Sequence, residues 1–191
     1  MCIRDRNDYQ NWGFKESSIT NRWESNGFQD LPLSNFYTDQ YHSFKVVPGD
    51  QITSEAVLIY DSQREPSPRP HFLNGWLNNP YGNVSVIIDD NGMCHGFGRI
   101  RPCVLKDNSR GWRIGPLLAD TPPLAELLIR KLVGNLDAQI LLDCSNLNPY
   151  ADYLLSSLGF EEISKTYRMY KGLQPPCPMN QVYGLACLEL G

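Results

Sequence analysis

A mixed α/β sheet covered by helices on both faces is the fold this sequence predicts. Three observations carry that expectation. Strand-like and helix-like runs alternate from residue 42 onward. The run "AQILLDCS" is continuously apolar, as in a strand buried on both faces. Leu124, Leu127, Leu128, Leu132 and Leu136 recur at three- and four-residue intervals, the signature of an amphipathic helix.

Each element follows in order. "SFKVV" reads as a short strand. "GDQITSEAVLIYDSQ" reads as a helix, with Asp50 as N-cap and Ile52, Ala56, Ile59 and Tyr60 on one face. "REPSPRP" breaks it, and "HFLNGWL" begins a second short helix. "NVSVIID", the Asn91-Gly92 turn and "MCHGFGRIRP" form a hairpin. "WRIGPLLA" adds a strand, "LAELLIRKLVGNL" a helix and "AQILLDCS" a buried strand. "NPYADYLLSSLGF" is a helix with Pro149 in its first turn and Gly159 at its end. "EEISKTYRMY" and "VYGLACLEL" close the chain as two strands.

Composition bounds the function. A chain of 191 residues, 41% of them hydrophobic, is long enough for one domain or one and a part. A net charge of −4 leaves no footprint for a phosphate backbone, so nucleic acid is a poor partner, although a local basic pocket is compatible with it. The six cysteines form no C-x-x-C pair, and His42, His71 and His95 do not cluster with them at metal-binding spacing. They read as reduced packing residues of a cytoplasmic protein. No apolar run approaches ~18 residues, so no membrane span is expected. The opening "MCIRDR" lacks the apolar core of a signal peptide and reads as a truncation or assembly scar.

One pattern repeats. "GFKESSITNR" at residues 13–22 and "GFEEISKTYR" at residues 159–168 share Gly, Phe, Glu, Ser, Thr and Arg at the same six places. An offset of about one domain length is read as duplication. Residues 1–26 are then the truncated tail of a preceding domain, 27–41 a linker, and 42–191 a second, complete domain. Having lost its sheet partners, the first segment is expected to be displaced or borrowed as an extra edge strand, its first dozen residues weakly held.

Asn148, Ala151, Leu154, Gly159 and Phe160 stand at the spacing N-x-x-A-x-x-L-x-x-x-x-G-F. "RIRP", "IGPLLAD", "LDCSNLNP", "LGF" and "YRMYKG" follow one another in order. Together these resemble the GNAT acetyltransferase superfamily, and within it the C-terminal domain of the YitH-like proteins, which carry two such folds in tandem. The resemblance implies a mixed, mostly antiparallel sheet. It also implies acetyl transfer from acetyl-CoA to an amine, on a small-molecule or peptide acceptor, in the intact parent.

Two departures qualify that implication. The family's turn R/Q-x-x-G-x-G/A exposes backbone N–H groups to the coenzyme A pyrophosphate at a helix N-terminus. Here Ala119, Pro122 and Leu124 stand at those places, with Asp120 adding negative charge, so no cofactor-binding residue is assigned. The family's Tyr before x-x-x-G-F, a candidate general acid for the departing thiolate, is Leu155 in the complete domain and Tyr9 in the first segment. Catalysis is therefore expected in the first domain of the parent, with residues 42–191 packing on it as a module that shapes its pocket.

Other candidates compete with plainer readings. Asp143 and Asn148 lie at the carboxyl end of a buried strand, where α/β sheets bind ligands, although Asn148 also suits a helix cap. Arg99, Arg101, Arg113 and Arg168 lie on neighbouring strands and suit either an anionic ligand or surface pairing. His95, beside Gly96 and Gly98, suits either a pocket base or ordinary packing.

Overall fold

The computed structural model describes residues 6–26, 41, 43–65, 68–173 and 176–188. Its elements are α1 (Arg6–Asn11), β1 (Lys15–Asn26), β2 (Lys45–Pro48), α2 (Ser54–Ser62), α3 (Pro70–Leu77), β3 (Asn83–Ile88), β4 (Cys94–Val104), β5 (Arg110–Ala119), α4 (Pro122–Val133), β6 (Gln139–Ser145), α5 (Ala151–Ser157), β7 (Glu161–Tyr170) and β8 (Val182–Gly184). The strands form one sheet in the order β2-β3-β4-β5-β6-β1-β7, with β8 paired to β5 off this path. Every pair is antiparallel except β5–β6.

Helices cover both faces, as the sequence predicts. Adjacent residues of β3 show it: Ile87 joins the core under α4 and α5, while Val86 joins the core under α2 and α3. Gly96 and Gly98 let α4 settle on β4, because a Cβ at either would meet Leu128 or Leu132 at 3.2 or 2.9 Å. Pro122 begins α4, its fixed φ suiting the first helical turn. Asp50 does not cap α2. It lies in a 3-10 turn, and the Thr53 hydroxyl accepts the Ala56 N–H instead. Among the described residues no helix is long and apolar enough to cross a membrane.

The first segment departs from expectation. β1 is neither displaced nor at an edge; it lies inside the sheet, antiparallel to β6 on one side and β7 on the other. The reason is the slot between β6 and β7, which a twelve-residue strand fills with hydrogen bonds along both edges. Its alternation sends Trp23, 5% exposed, into the main core. Residues 6–11 form α1, tied to β1 by an Arg6–Glu16 ion pair, while residues 1–5 and most of the linker lie outside the described residues.

The two similar segments also fold alike. Gly13 and Gly159 both take positive φ, +86° and +76°. The Phe14 N–H donates to the Tyr9 carbonyl, and the Phe160 N–H to the Leu155 carbonyl, each at 3.0 Å. In both, glycine ends a helix in the left-handed region and turns the chain into a strand.

Candidate functional site

β5 and β6 run side by side from Trp112–Ile114 and Ile140–Leu142 and then part. Such a divergence at the carboxyl ends of parallel strands is where open sheets bind ligands. Here β8 enters it. Val182 and Gly184 pair with Leu118 and Leu117 of β5. On the other side the Leu185 N–H donates to the Asp143 carbonyl at 2.8 Å, and the Asn148 amide donates to the Val182 carbonyl at 3.0 Å. Gly115 makes the fit possible, since a Cβ there would stand 2.0 Å from the Leu185 oxygen. Val182, Tyr183, Leu185 and Ala186 are all buried. The chain's own backbone fills the wedge.

The turn beside the wedge runs Ala119-Asp120-Thr121-Pro122-Pro123-Leu124. Pro122 and Pro123 open α4 and bring no N–H, and the Ala125 N–H is taken by the Thr121 carbonyl at 3.1 Å. Asp120 is not the free negative charge that the sequence suggests. Its carboxylate accepts from Tyr60 at 2.8 Å and Arg64 at 2.6 Å, and lies 2.8 Å from His95 Nδ1. His95 Nε2 also approaches Asp89 at 3.5 Å, and its ring meets Phe44 edge-on. Burial, then Asp120, pushes the Tyr60 hydroxyl far above the ordinary phenol range. Burial likewise pushes the neighbouring Cys94 thiol up to about 11. This network fastens α2 to β4 and to the turn, and His95 is packed inside it.

The ligand candidates divide. Asp143, 1% exposed, receives a two-pronged grip from Arg22 at 2.7 and 3.0 Å, and Arg113 stands 3.6 Å away. Arg22 went unnoticed in the sequence, yet it holds in "GFKESSITNR" the place that Arg168 holds in "GFEEISKTYR". Asn148 does not cap α5 itself: Tyr150 is the N-cap residue, and the Asn148 side chain bridges the Tyr150 N–H and Val182. Arg99 is buried, donating to the carbonyls of Asn79 and Tyr81 at 3.1 and 2.6 Å. Arg101 faces Arg113 across β4–β5 and lies over the Trp76 ring at 4.9 Å. Arg168 stands apart, over Tyr170 and within the field of Glu65 and Cys177. Tyr9 is half-buried, edge-on to Trp12 and Phe14, both at 5.4 Å. Leu155 is wholly buried. Among the described residues no three His, Cys, Asp or Glu side chains gather to hold a metal.

Residues 57–184 match the family model described as an acetyltransferase (GNAT) domain. The chain belongs to the GNAT acetyltransferase family. This GNAT chain is 23% identical over 184 residues to holothin acyltransferase of Pseudoalteromonas sp. (strain SANK 73390), covering 95% of the chain and 59% of that protein. Its fold resembles that of a Pyrococcus horikoshii protein described as a candidate acetyltransferase, with TM-score 0.72, 18% identity, and coverage of 98% of this chain and 57% of the other. It also resembles a GCN5-related N-acetyltransferase from Sphaerobacter thermophilus, with TM-score 0.57, 12% identity, and coverage of 87% and 55%. The GNAT chain thus spans little more than half the length of these relatives. At the turn that opens α4, Pro122 and Pro123 bring no amide donor, and β8 occupies the wedge.

Proposed function

We propose that this chain is the non-catalytic C-terminal part of a GNAT acyltransferase, one that carries acetyl from acetyl-CoA to an amine on a small molecule or peptide. The observation that carries this reading is the occupied wedge, with Val182–Leu185 hydrogen-bonded to both strands that would otherwise flank a ligand. The proline pair supports it, as does Leu155, which has no proton to donate where the family carries tyrosine. On this reading the cofactor site and Tyr9, the candidate general acid, belong to a preceding GNAT domain, and residues 42–191 pack on that domain. The shared geometry of the Tyr9–Phe14 and Leu155–Phe160 turns supports a duplicated origin.

Isothermal titration of acetyl-CoA tests the proposal. The 191-residue chain should give no saturable heat, while a protein of the relatives' full length should bind. Tight binding by the short chain would instead favour an unconventional active site within residues 42–191. In the longer protein, Tyr9→Phe should lower kcat with little change in KM.

A further inference from the structure

Arg22 and Arg168 hold the same place in the two similar segments, but their surroundings differ. Arg22 grips the Asp143 carboxylate at 2.7 and 3.0 Å because β6 runs beside β1. Arg168 lies over the Tyr170 ring and makes no hydrogen bond or ion pair to another described residue. Glu65, whose charge it feels, is bound by Arg69 at 2.9 Å. The strands differ in the same way. β1 has a partner along each edge, whereas β7 ends the sheet, and its outer edge has no backbone partner among the described residues. So do the helices that lead into them. Leu155, Leu158 and Phe160 are buried in one core with Ile140, Leu142 and Cys144 of β6. Their counterparts are Tyr9, Trp12 and Phe14; Tyr9 and Phe14 are only half-buried, and Trp12 is 61% exposed.

One further strand would answer all three differences, and the observed ladders give its register. On β1, Thr20 stands opposite Ser145, Arg22 opposite Asp143 and Trp23 opposite Leu142. Carried to the second segment, the same register sets Thr166, Arg168 and Met169 against the counterparts of Ser145, Asp143 and Leu142. The half of β7 outside this register is exposed and carries Glu161, Glu162 and Lys165, charges that discourage pairing there. A second copy's β7 is a poor occupant. Laid antiparallel over residues 166–170, it would set Arg168 against Arg168, and like charges directly opposite destabilise a sheet.

We infer that the outer edge of β7, from Thr166 to Tyr170, is the docking site for an antiparallel strand of the preceding domain, the counterpart of β6, with a carboxylate opposite Arg168. Main-chain hydrogen bonds along an open edge give such pairing its affinity, and the guanidinium–carboxylate fork fixes its register. The same strand covers the face of α1 that bears Trp12. The longer relatives have chain to supply it, since the matched part is 59% of holothin acyltransferase. The inference rests on the reading that a GNAT domain precedes these residues, and adds where that domain attaches.

The test titrates the whole chain with a lysine-tagged peptide of residues 138–146, "AQILLDCSN", which carries the β6 pattern. Amide resonances between Thr166 and Tyr170 should shift saturably and exchange at least tenfold more slowly, with β3 unchanged. Asp143→Asn within the peptide should weaken binding tenfold or more, and so should Arg168→Met in the chain. The two changes together should cost little more than either alone, because both remove one contact. Unsaturable shifts, shifts away from β7, or binding indifferent to both changes would overturn the docking site. Concentration-dependent dimerisation that protects the same amides would give the edge to a second copy and overturn it too. The acetyl-CoA titration fails separately: binding of acetyl-CoA by the short chain would sink the non-catalytic reading without moving these shifts.

Discussion

Thr20 faces Thr166 across the β1–β7 pair, and the two residues hold the same place in the two similar ten-residue segments. The flanking pairs exchange places about this centre: Ile19 meets Tyr167, and Asn21 meets Lys165, where Ile19 corresponds to Lys165 and Asn21 to Tyr167 in the two segments. The two similar strands therefore pair with each other about a local two-fold, the arrangement of a self-complementary interface. β1 is thereby a full member of the sheet, which leads to the first prediction. Trp23→Ala should cost about 3–5 kcal/mol, as for other large core truncations, measured by urea unfolding. Amide exchange in β1 should be as slow as in β6; rapid exchange there would contradict its interior position.

Asp143 supplies a second prediction. Asp143→Asn leaves Arg22 facing a neutral amide at a site that is 1% exposed, and should lose about 3–5 kcal/mol. The double variant Arg22→Met/Asp143→Leu should recover part of that loss, because it removes that pair of charges together while Arg113 loses its partner. Equal destabilisation in the two proteins would show that packing, not charge, is what Asp143 contributes.

Gly115 supplies the third. Any Cβ at this position strikes the Leu185 carbonyl, so Gly115→Ala must push the closing segment out of the wedge. Overpacking of this kind costs about 1–3 kcal/mol. The expected signature is local: faster amide exchange at Leu185 and lost protection in β8, with β3 and β4 unchanged. An unchanged Leu185 amide would mean that the wedge is looser than its geometry.

Alkaline pH supplies the fourth. Tyr60, Cys94, Cys144 and Tyr183 all hold their protons more tightly in the fold, with burial as the leading cause for each. An unfolded cysteine ionises near pH ~8.5 and an unfolded tyrosine near ~10. Folded values above unfolded ones mean that the stability these groups contribute is fully present below the unfolded values. It is lost as pH rises through the folded ones, the Cys94 value being about 11. Unfolding free energy should be level between about pH 6 and 8 and fall above about 8.5, and Cys94→Ala should make the early decline shallower. A level profile to pH 11 would contradict the burial argument.

Much of this architecture was legible in the residues because it rests on local signals. The leucine spacing of α4, the Asn91-Gly92 hairpin and the apolar run of β6 each declare themselves within a dozen positions. The Ala119–Leu124 turn was legible for the same reason, since a missing N–H is a property of proline itself. Partnership across the chain was not. Nothing near Lys15 announces that β6 and β7 leave a gap of its width, and nothing in "VYGLACLEL" announces the wedge. Asp120 read as a loose charge because its partners, Tyr60, Arg64 and His95, are brought to it only by folding. Arg22 was within reach through the repeat, had the role suggested for Arg168 been carried across to it.

The interior position of β1 imposes an order on synthesis. Residues 15–26 are made well before both of their neighbours, 139–145 and 161–170. More than a hundred residues separate β1 from β6, so β1 takes its place in this sheet only in a late step that closes it. Such distant closure makes for slow folding and a long exposure to wrong partners.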